Sequence, residues 1–338
     1  MPGTTITARE ASQRHVPVML NEVLAALSPA AGETYIDGTF GAGGYTRAIL
    51  GAADCRVIGV DRDPAAIAGG AETVAAFGAR LELVQGTFSD IEAISHGEPV
   101  SGVVLDIGVS SMQIDDPERG FSFLRDGPLD MRMSRSGPSA ADVVNSMKTE
   151  ALADLIYILG EEPRSRAIAR AIDRERSVQP LATTLDLVRA VERATGPQRA
   201  KDRTHPATRT FQALRIHVNG ELEQLAEALF AAERLLVEGG RLVVVTFHSL
   251  EDRIVKRFFA SRSGHIASAS RHLPAQGQAD VPSFNLLFRG HQEPGAEEIE
   301  RNPRARSAKL RAGVRTAAAA LKPNLSLLGV PMLKGRVH

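Results

Sequence analysis

Apolar residues in the first third of the chain fall into short runs rather than long stripes. Residues 34–37, 57–61, 81–85 and 103–106 are each bounded by turn residues. Each has the length and composition of a buried strand. Between them lie segments of helical period, one from about Tyr45 to Leu50 and one with Pro64 in its first turn after Asp63. Strand and helix in alternation predict a parallel sheet with helices on both faces. A fifth strand is expected at 241–247, after an amphipathic helix carrying Leu222, Leu225, Leu229 and Leu236 and stopped by Gly239-Gly240. A crossover needs only about 10–12 residues, whereas far more separate the fourth strand from the fifth, so something is inserted. The insert reads as helices at 150–159, 164–176 and 181–195, punctuated by Pro180 and by Thr195-Gly196-Pro197. Near the end, Ala308, Leu310, Ala312 and Val314 alternate with Lys309, Arg311 and Arg315, the period of a strand with one buried and one basic face. Residues 261–282, rich in Ser, Ala, Gly and Pro, predict a flexible loop.

The expected fold is therefore α/β: a doubly wound, mostly parallel sheet with an inserted helical domain. The sheet domain would comprise 1–115 and 216–338, and the insert 116–215. A length of 338 residues suits two domains, and 43% apolar with 24% charged residues describes an ordinary globular protein. One cysteine, Cys55, excludes an internal disulfide and a Cys-based zinc site, and it fits a reducing compartment. No apolar run approaches the ~20 residues that span a bilayer, and the first 15 residues lack an apolar signal core. Both point to the cytoplasm and away from a membrane. Net charge is zero but uneven: residues 1–100 carry 12 acids against 6 bases, and residues 301–338 carry 9 bases and no acid. Such a tail either meets a polyanion or is simply solvated.

Candidate chemistry begins where the first strand ends in Asp37 and runs into Gly38-Thr39-Phe40-Gly41-Ala42-Gly43-Gly44. Glycines there allow close backbone approach, and the following helix offers unpaired N–H groups. Asp61, closing the second strand, stands where an acid accepts ribose hydroxyls. A dinucleotide fingerprint wants a third glycine where Thr46 stands. The spacing D-x-T-x-G-x-G fits S-adenosyl-L-methionine better, because a zwitterion and a neutral adenosine need no pyrophosphate cradle. An acid near the loop could meet the cofactor's ammonium. Hydride transfer with NAD stays open as the rival. Asp37, Asp61 and Asp106 each close a strand and are expected on one rim, where packing alone does not explain three acids.

Several strings resemble one family, the bacterial small-subunit (16S) ribosomal RNA cytosine-N4 methyltransferases. They are HVPVMLNEVL at 15–24, YIDGTFGAGGYT at 35–46, VDRDPAAI at 60–67 and LDIGVSSMQIDDPERGFSFLRDGPLDMRM at 105–133, then HPATRTFQALRIHVN at 205–219, FHSLEDRIVKRFF at 247–259 and NPRARSAKLR at 302–311. The resemblance implies a class I methyltransferase-like sheet with a helical substrate domain. It implies methylation of a cytidine N4 amine in the decoding region, with the assembled 30S subunit as partner and a homodimer left open. Carried over by motif, Gly43, Gly44, Tyr45, Asp61, Phe88, Asp106 and Gln113 would hold the cofactor. The sequence departs from the family at Tyr45, commonly His, and at Met112, commonly Pro, which loosens the turn that aims Gln113. A non-catalytic ribosome-assembly factor using the same groove is the rival from another class.

An exocyclic amine is a weak nucleophile, so its N–H groups need acceptors. Asp106, Ser110 and Ser111 are candidates, with Asp106 also claimed by the cofactor. His248 is a rival base, though a histidine that caps the next helix is the commoner arrangement. No cluster has metal-ligand spacing, so no bound metal is expected. For RNA, Arg203, Arg209 and Arg215 with Arg304, Arg306, Lys309 and Arg311 are the preferred phosphate contacts. Arg166, Arg170 and Arg174 form a helical stripe that reads first as a solvated face. Phe121, Phe123 or Tyr45 would stack on an extruded base.

Overall fold

The computed structural model describes residues 17–198, 204–264 and 281–333. Two compact units result: residues up to Gly108 with Glu223–Val330, and Val109–Leu222. The second begins seven residues before the expected insert and ends seven after it.

The sheet unit runs α1 (Leu20–Leu27), β1 (Thr34–Asp37), α2 (Gly44–Ala52), β2 (Arg56–Asp61), α3 (Pro64–Gly69), α4 (Ala71–Phe77), β3 (Leu81–Gln85), α5 (Ile91–Ile94) and β4 (Val100–Asp106). The chain between holds α6 (Ser111–Asp115), α7 (Ala140–Ser146), α8 (Thr149–Gly160), α9 (Ser165–Arg176), α10 (Thr184–Thr195) and α11 (Thr208–Asn219). Then come α12 (Glu221–Leu235), β5 (Leu236–Thr246), α13 (Ser249–Arg262), β6 (Phe284–Leu286), α14 (Ala296–Arg301), β7 (Lys309–Arg315) and α15 (Leu325–Leu328). Leu236, expected on the helix, opens β5 instead.

Strand order is β3-β2-β1-β4-β5-β7-β6. The first five are parallel, while β7 runs antiparallel to both β5 and β6. This is the expected doubly wound, mostly parallel sheet. Order reverses between β1 and β4, so right-handed crossovers place helices on opposite faces, and the strand ends open a crevice at that point. Asp37 and Asp106 flank it. Val243, Val244 and Val245 of β5 are wholly buried, as a strand covered on both faces requires.

The period-two reading of β7 needs correction. Leu310 and Ala312 are buried as expected, but Arg311 and Arg315 are buried too, each 8% exposed. Arg311 donates to Asp252 of α13 (2.8 and 3.3 Å) and to the Gly290 carbonyl at 2.7 Å. Arg315 donates to the carbonyls of Glu233, Ser283 and Thr316. A penultimate strand has neighbours on both edges and helices over it, so the basic face is interior and every cation has been given an acceptor.

Nearby, Glu233 of α12 is 1% exposed and fully engaged. It accepts from Arg262 Nε (3.0 Å), Ser283 Oγ (2.6 Å) and Leu321 N (3.1 Å). Arg262 also lies over the rings of Phe230 and Phe258 at 5.3 and 5.4 Å. Residues 265–280 of the expected 261–282 loop lie outside the described residues.

In the second unit, α8 packs on α9 and α11, and α9 on α10. Ser139 and Thr183 cap α7 and α10 in reciprocal boxes with Asp142 and Asp186. The 120–133 segment is held by side chains rather than by regular structure. Asn219 Nδ2 donates to Met131 O (2.8 Å), its Oδ1 accepts from Met133 N (2.9 Å), and Arg119 donates to the carbonyls of Arg132 and Met133. Gly120 has φ +69, and a Cβ there would meet Pro128 O at 2.3 Å.

Candidate active site

Three strand ends and one loop build the rim of the sheet unit. Asp37, at the end of β1, is fully buried. Its carboxylate accepts from Thr46 Oγ1 (2.7 Å) and from Thr39 N (3.2 Å). Burial pushes its pKa up to about 6 against the pull of those bonds, and Asp61 adds to the rise. Asp37 therefore braces the loop and has no exposed surface.

Asp61, at the end of β2, is part-exposed. Its two oxygens accept from Gly41 N (2.7 Å) and Asp63 N (2.8 Å). Burial raises its pKa while the two N–H bonds oppose the rise. Each carboxylate oxygen keeps a second lone pair for a ribose hydroxyl. Asp63 is itself the N-cap of α3, its side chain accepting from Ala65 N.

Asp106 differs from both. Its Oδ1 is buried and has no hydrogen-bond partner. Burial lifts its pKa to about 8, and the charges of Asp37 and Glu251 add to that. Its backbone N–H donates to Thr39 Oγ1 at 2.7 Å. Thr39, the threonine of the D-x-T-x-G-x-G spacing, thus ties the loop to the end of β4 through its hydroxyl. Thr46 was missed as Asp37's partner, although a hydroxyl nine residues after a strand-end acid was the available signal.

The glycines are placed differently from expectation. Gly43 caps α2 with φ +74, and a Cβ on it would meet the Phe40 ring at 2.8 Å and Arg47 at 3.0 Å. A Cβ on Gly44 would meet Pro17 Cγ at 2.2 Å. Protein, not open space, fills both positions. Gly41 (φ +53) has only Thr39 O near its vacant side, at 3.8 Å, so it is the glycine with room beside it. Arg47 pins the loop through Ala42 O (2.7 Å) and Thr73 Oγ1 (3.2 Å). Tyr45 is 4% exposed, and its hydroxyl donates to the Val18 carbonyl. It cannot stack on a base, and only its backbone is left for a cofactor. Phe88 is half-buried beyond β3, its Cβ 3.3 Å from where a Cβ on Gly38 would sit.

His248 caps α13. Its Nδ1 accepts from Glu251 N at 3.5 Å, and its Nε2 stands 2.8 Å from Glu251 Oε1. Glu251 is wholly buried and also accepts from Phe247 N and His248 N. The histidine thus caps the helix start, the commoner arrangement expected from the sequence.

Within the other unit, Ser110 and Gln113 form a capping box on α6: Gln113 N donates to Ser110 Oγ at 3.2 Å and Ser110 N to Gln113 Oε1 at 3.1 Å. Gln113 is buried and Ser111 and Met112 open the helix. The box fixes the turn without the proline the family commonly carries. Phe123 is stacked internally, 4.8 Å from both His205 and Phe211, and Phe121 lies against Arg119. Arg215 grips the buried Glu221 with two bonds, 2.9 and 2.7 Å, and Arg209 donates to Glu161 O. Lys309 stands 3.5 Å from Asp252. Arg215 and Arg311 are thus tied up within the protein, which corrects their place among the preferred phosphate contacts, whereas Arg209, Arg304 and Arg306 are exposed and Lys309 is part-exposed. Arg203 lies outside the described residues.

This acid-rich rim fits a cationic ligand and repels a pyrophosphate. A sulfonium or ammonium would stabilise the ionised form of Asp106, whereas a pyrophosphate would oppose its ionisation. No helix among the described residues is long and apolar enough to cross a membrane.

Comparison with known proteins agrees. The model of the MraW methylase family matches residues 12–316. A ribosomal RNA small subunit methyltransferase H of Brucella anthropi is 58% identical over 336 residues, 98% of this chain and 96% of its own. Its counterpart in Brucella suis is 56% identical with the same coverage. A solved rRNA methylase from Streptococcus thermophilus aligns with 88% of this chain and 93% of its own at 10% identity and a TM-score of 0.39, too loose a likeness to carry an argument.

Proposed function

The chain belongs to the MraW methylase family, and from that premise we propose that it methylates the exocyclic N4 amine of a cytidine in the decoding region of small-subunit ribosomal RNA, with S-adenosyl-L-methionine as donor. The observation that carries the reading is the buried, unpartnered Asp106 Oδ1 near Asp37 and Glu251, at the point where strand order reverses. Asp61 and Asp106 would hold the cofactor by side chain, Gly43, Gly44 and Tyr45 by backbone, and Phe88 and Gln113 at their own positions.

S-adenosylmethionine supplies a methyl group on a positive sulfur, open to in-line displacement by nitrogen. The protein's task is then to fix geometry and proton positions. In the ligand-free protein Asp106 holds its proton near neutral pH, since its pKa is about 8. A cation docking beside it stabilises the carboxylate, so binding releases that proton. The carboxylate then accepts from the ligand or from an amine N–H, drawing nitrogen toward the tetrahedral geometry of attack. Ser110 and Ser111 hydroxyls are further acceptors for that amine.

The assembled 30S subunit is the proposed substrate and the cytoplasm the proposed location, with a homodimer as an open arrangement. Methyl transfer to small subunits from a strain lacking the enzyme tests the reading, with label expected on N4 of one cytidine. An absence of transfer would favour the non-catalytic assembly factor.

A further inference from the structure

Most arginines of the helical unit are already engaged, and α9 shows where engagement stops. Its acids are neutralised from within the unit. Asp173 accepts from Arg176 at 3.0 and 2.7 Å, and Glu175 accepts from Arg193. Asp154 of α8 stands 3.5 Å from Arg166. Arg176 turns inward and donates to the carbonyls of Val144 and Met147. Arg170 and Arg174 remain. Both are exposed, and neither side chain has a hydrogen bond or ion pair among the described residues.

With Arg166, whose side chain is 70% exposed, they repeat every four residues and so stand about 6 Å apart along one face of the helix. The opposite face buries Ile168, Ala169, Ala171 and Ile172. Like charges one turn apart weaken a helix, and a polyanion lying across them removes that repulsion. Guanidinium forks match phosphate oxygens in shape as well as sign. The contrast with Arg209, Arg215, Lys309 and Arg311 sharpens the point: those cations have acceptors inside the protein, and these two do not.

We infer that the Arg166–Arg170–Arg174 face of α9 is a docking surface for the phosphate backbone of RNA. It rests on the proposed RNA substrate and says which residues of the helical unit hold it. The contacts are charge contacts, blind to sequence, so they add affinity and orientation while base choice is made elsewhere.

The test is the affinity of the full chain, loaded with S-adenosylhomocysteine, for unmethylated small subunits as salt is raised. The pair Arg170→Glu with Arg174→Glu should weaken binding about tenfold or more at low salt and flatten the log–log salt slope by about 1.5–2. Arg170→Gln with Arg174→Gln, which removes charge without repulsion, should flatten the slope equally, and the Lys pair should keep it. Affinity for S-adenosylhomocysteine should stay unchanged throughout, reporting an intact fold. Unaltered affinity and slope in the Glu and Gln pairs would overturn the inference while leaving methyl transfer by the wild type untouched. A wild type that neither binds nor methylates the subunits would overturn the proposed function and this surface together.

Discussion

Two places in the sheet unit bury carboxylates and treat them in opposite ways. Glu233 is surrounded by Arg262, Ser283 and the Leu321 N–H, so its charge is answered at every side. Asp106 has carboxylates for neighbours and one oxygen with no partner at all. Burial is the same physical cost in both cases. In the first the fold has met it, and in the second one oxygen is left without a hydrogen-bond partner. The first is a clamp between α12, the chain entering β6 and the chain beyond β7; the second is an acidic strand end with a sign suited to a cation.

Breaking the clamp should have the largest effect. Glu233→Ala strands the buried Arg262 guanidinium and should cost about 3–5 kcal/mol of stability, seen in urea unfolding. A loss under about 1 kcal/mol would make the pair no different from a surface bridge. The rim should behave in the reverse sense. Between pH ~4, where a free aspartate titrates, and about 8, the value for Asp106 in the fold, the unfolded chain has lost a proton that the native chain keeps. Asp106 therefore contributes stability that is full below pH ~4 and is lost as pH rises to about 8. Asp106→Asn removes that loss, so its melting temperature should exceed the wild type's by a margin that widens from pH 5 to 8. Parallel curves would mean Asp106 ionises normally.

Asp61→Ala sharpens the comparison within the rim. It should weaken S-adenosylhomocysteine binding by ~1.5–3 kcal/mol, read by calorimetry, and toward the upper end because the Gly41 and Asp63 N–H bonds go with it. Undiminished affinity would mean the cofactor does not touch the end of β2. The smallest effect is expected at Thr46→Val, which takes from Asp37 its shortest bond and should cost about 1 kcal/mol. It should leave methyl transfer per folded molecule unchanged, since Asp37 is a brace.

The strands were legible because a buried parallel strand is a short apolar run with an acid or glycine at its end. β1 and β3 lie where the pattern puts them, and β2 and β4 end at the expected aspartates. Helices of the inserted unit were legible through their period, to within three residues at their starts. β6, three residues long, carries too little pattern to be seen. Sheet order and partner choice were not legible, because both depend on contacts far apart in sequence. Arg311 in a period-two strand and Arg170 on a helical stripe look alike as letters; only Asp252, 59 residues from Arg311, separates them. The same holds for Asp37 and Asp106, both strand-end acids, one satisfied by Thr46 and the other left open.

One contact at the amino-terminal side reaches further than its size. Pro17 occupies the space where Gly44 would carry a side chain, and the Val18 carbonyl receives the Tyr45 hydroxyl. The two positions are therefore sterically coupled. A lineage that trades the glycine for alanine must first shrink or displace the proline. Across relatives, residues 17 and 44 should drift together, although they stand 27 positions apart in sequence.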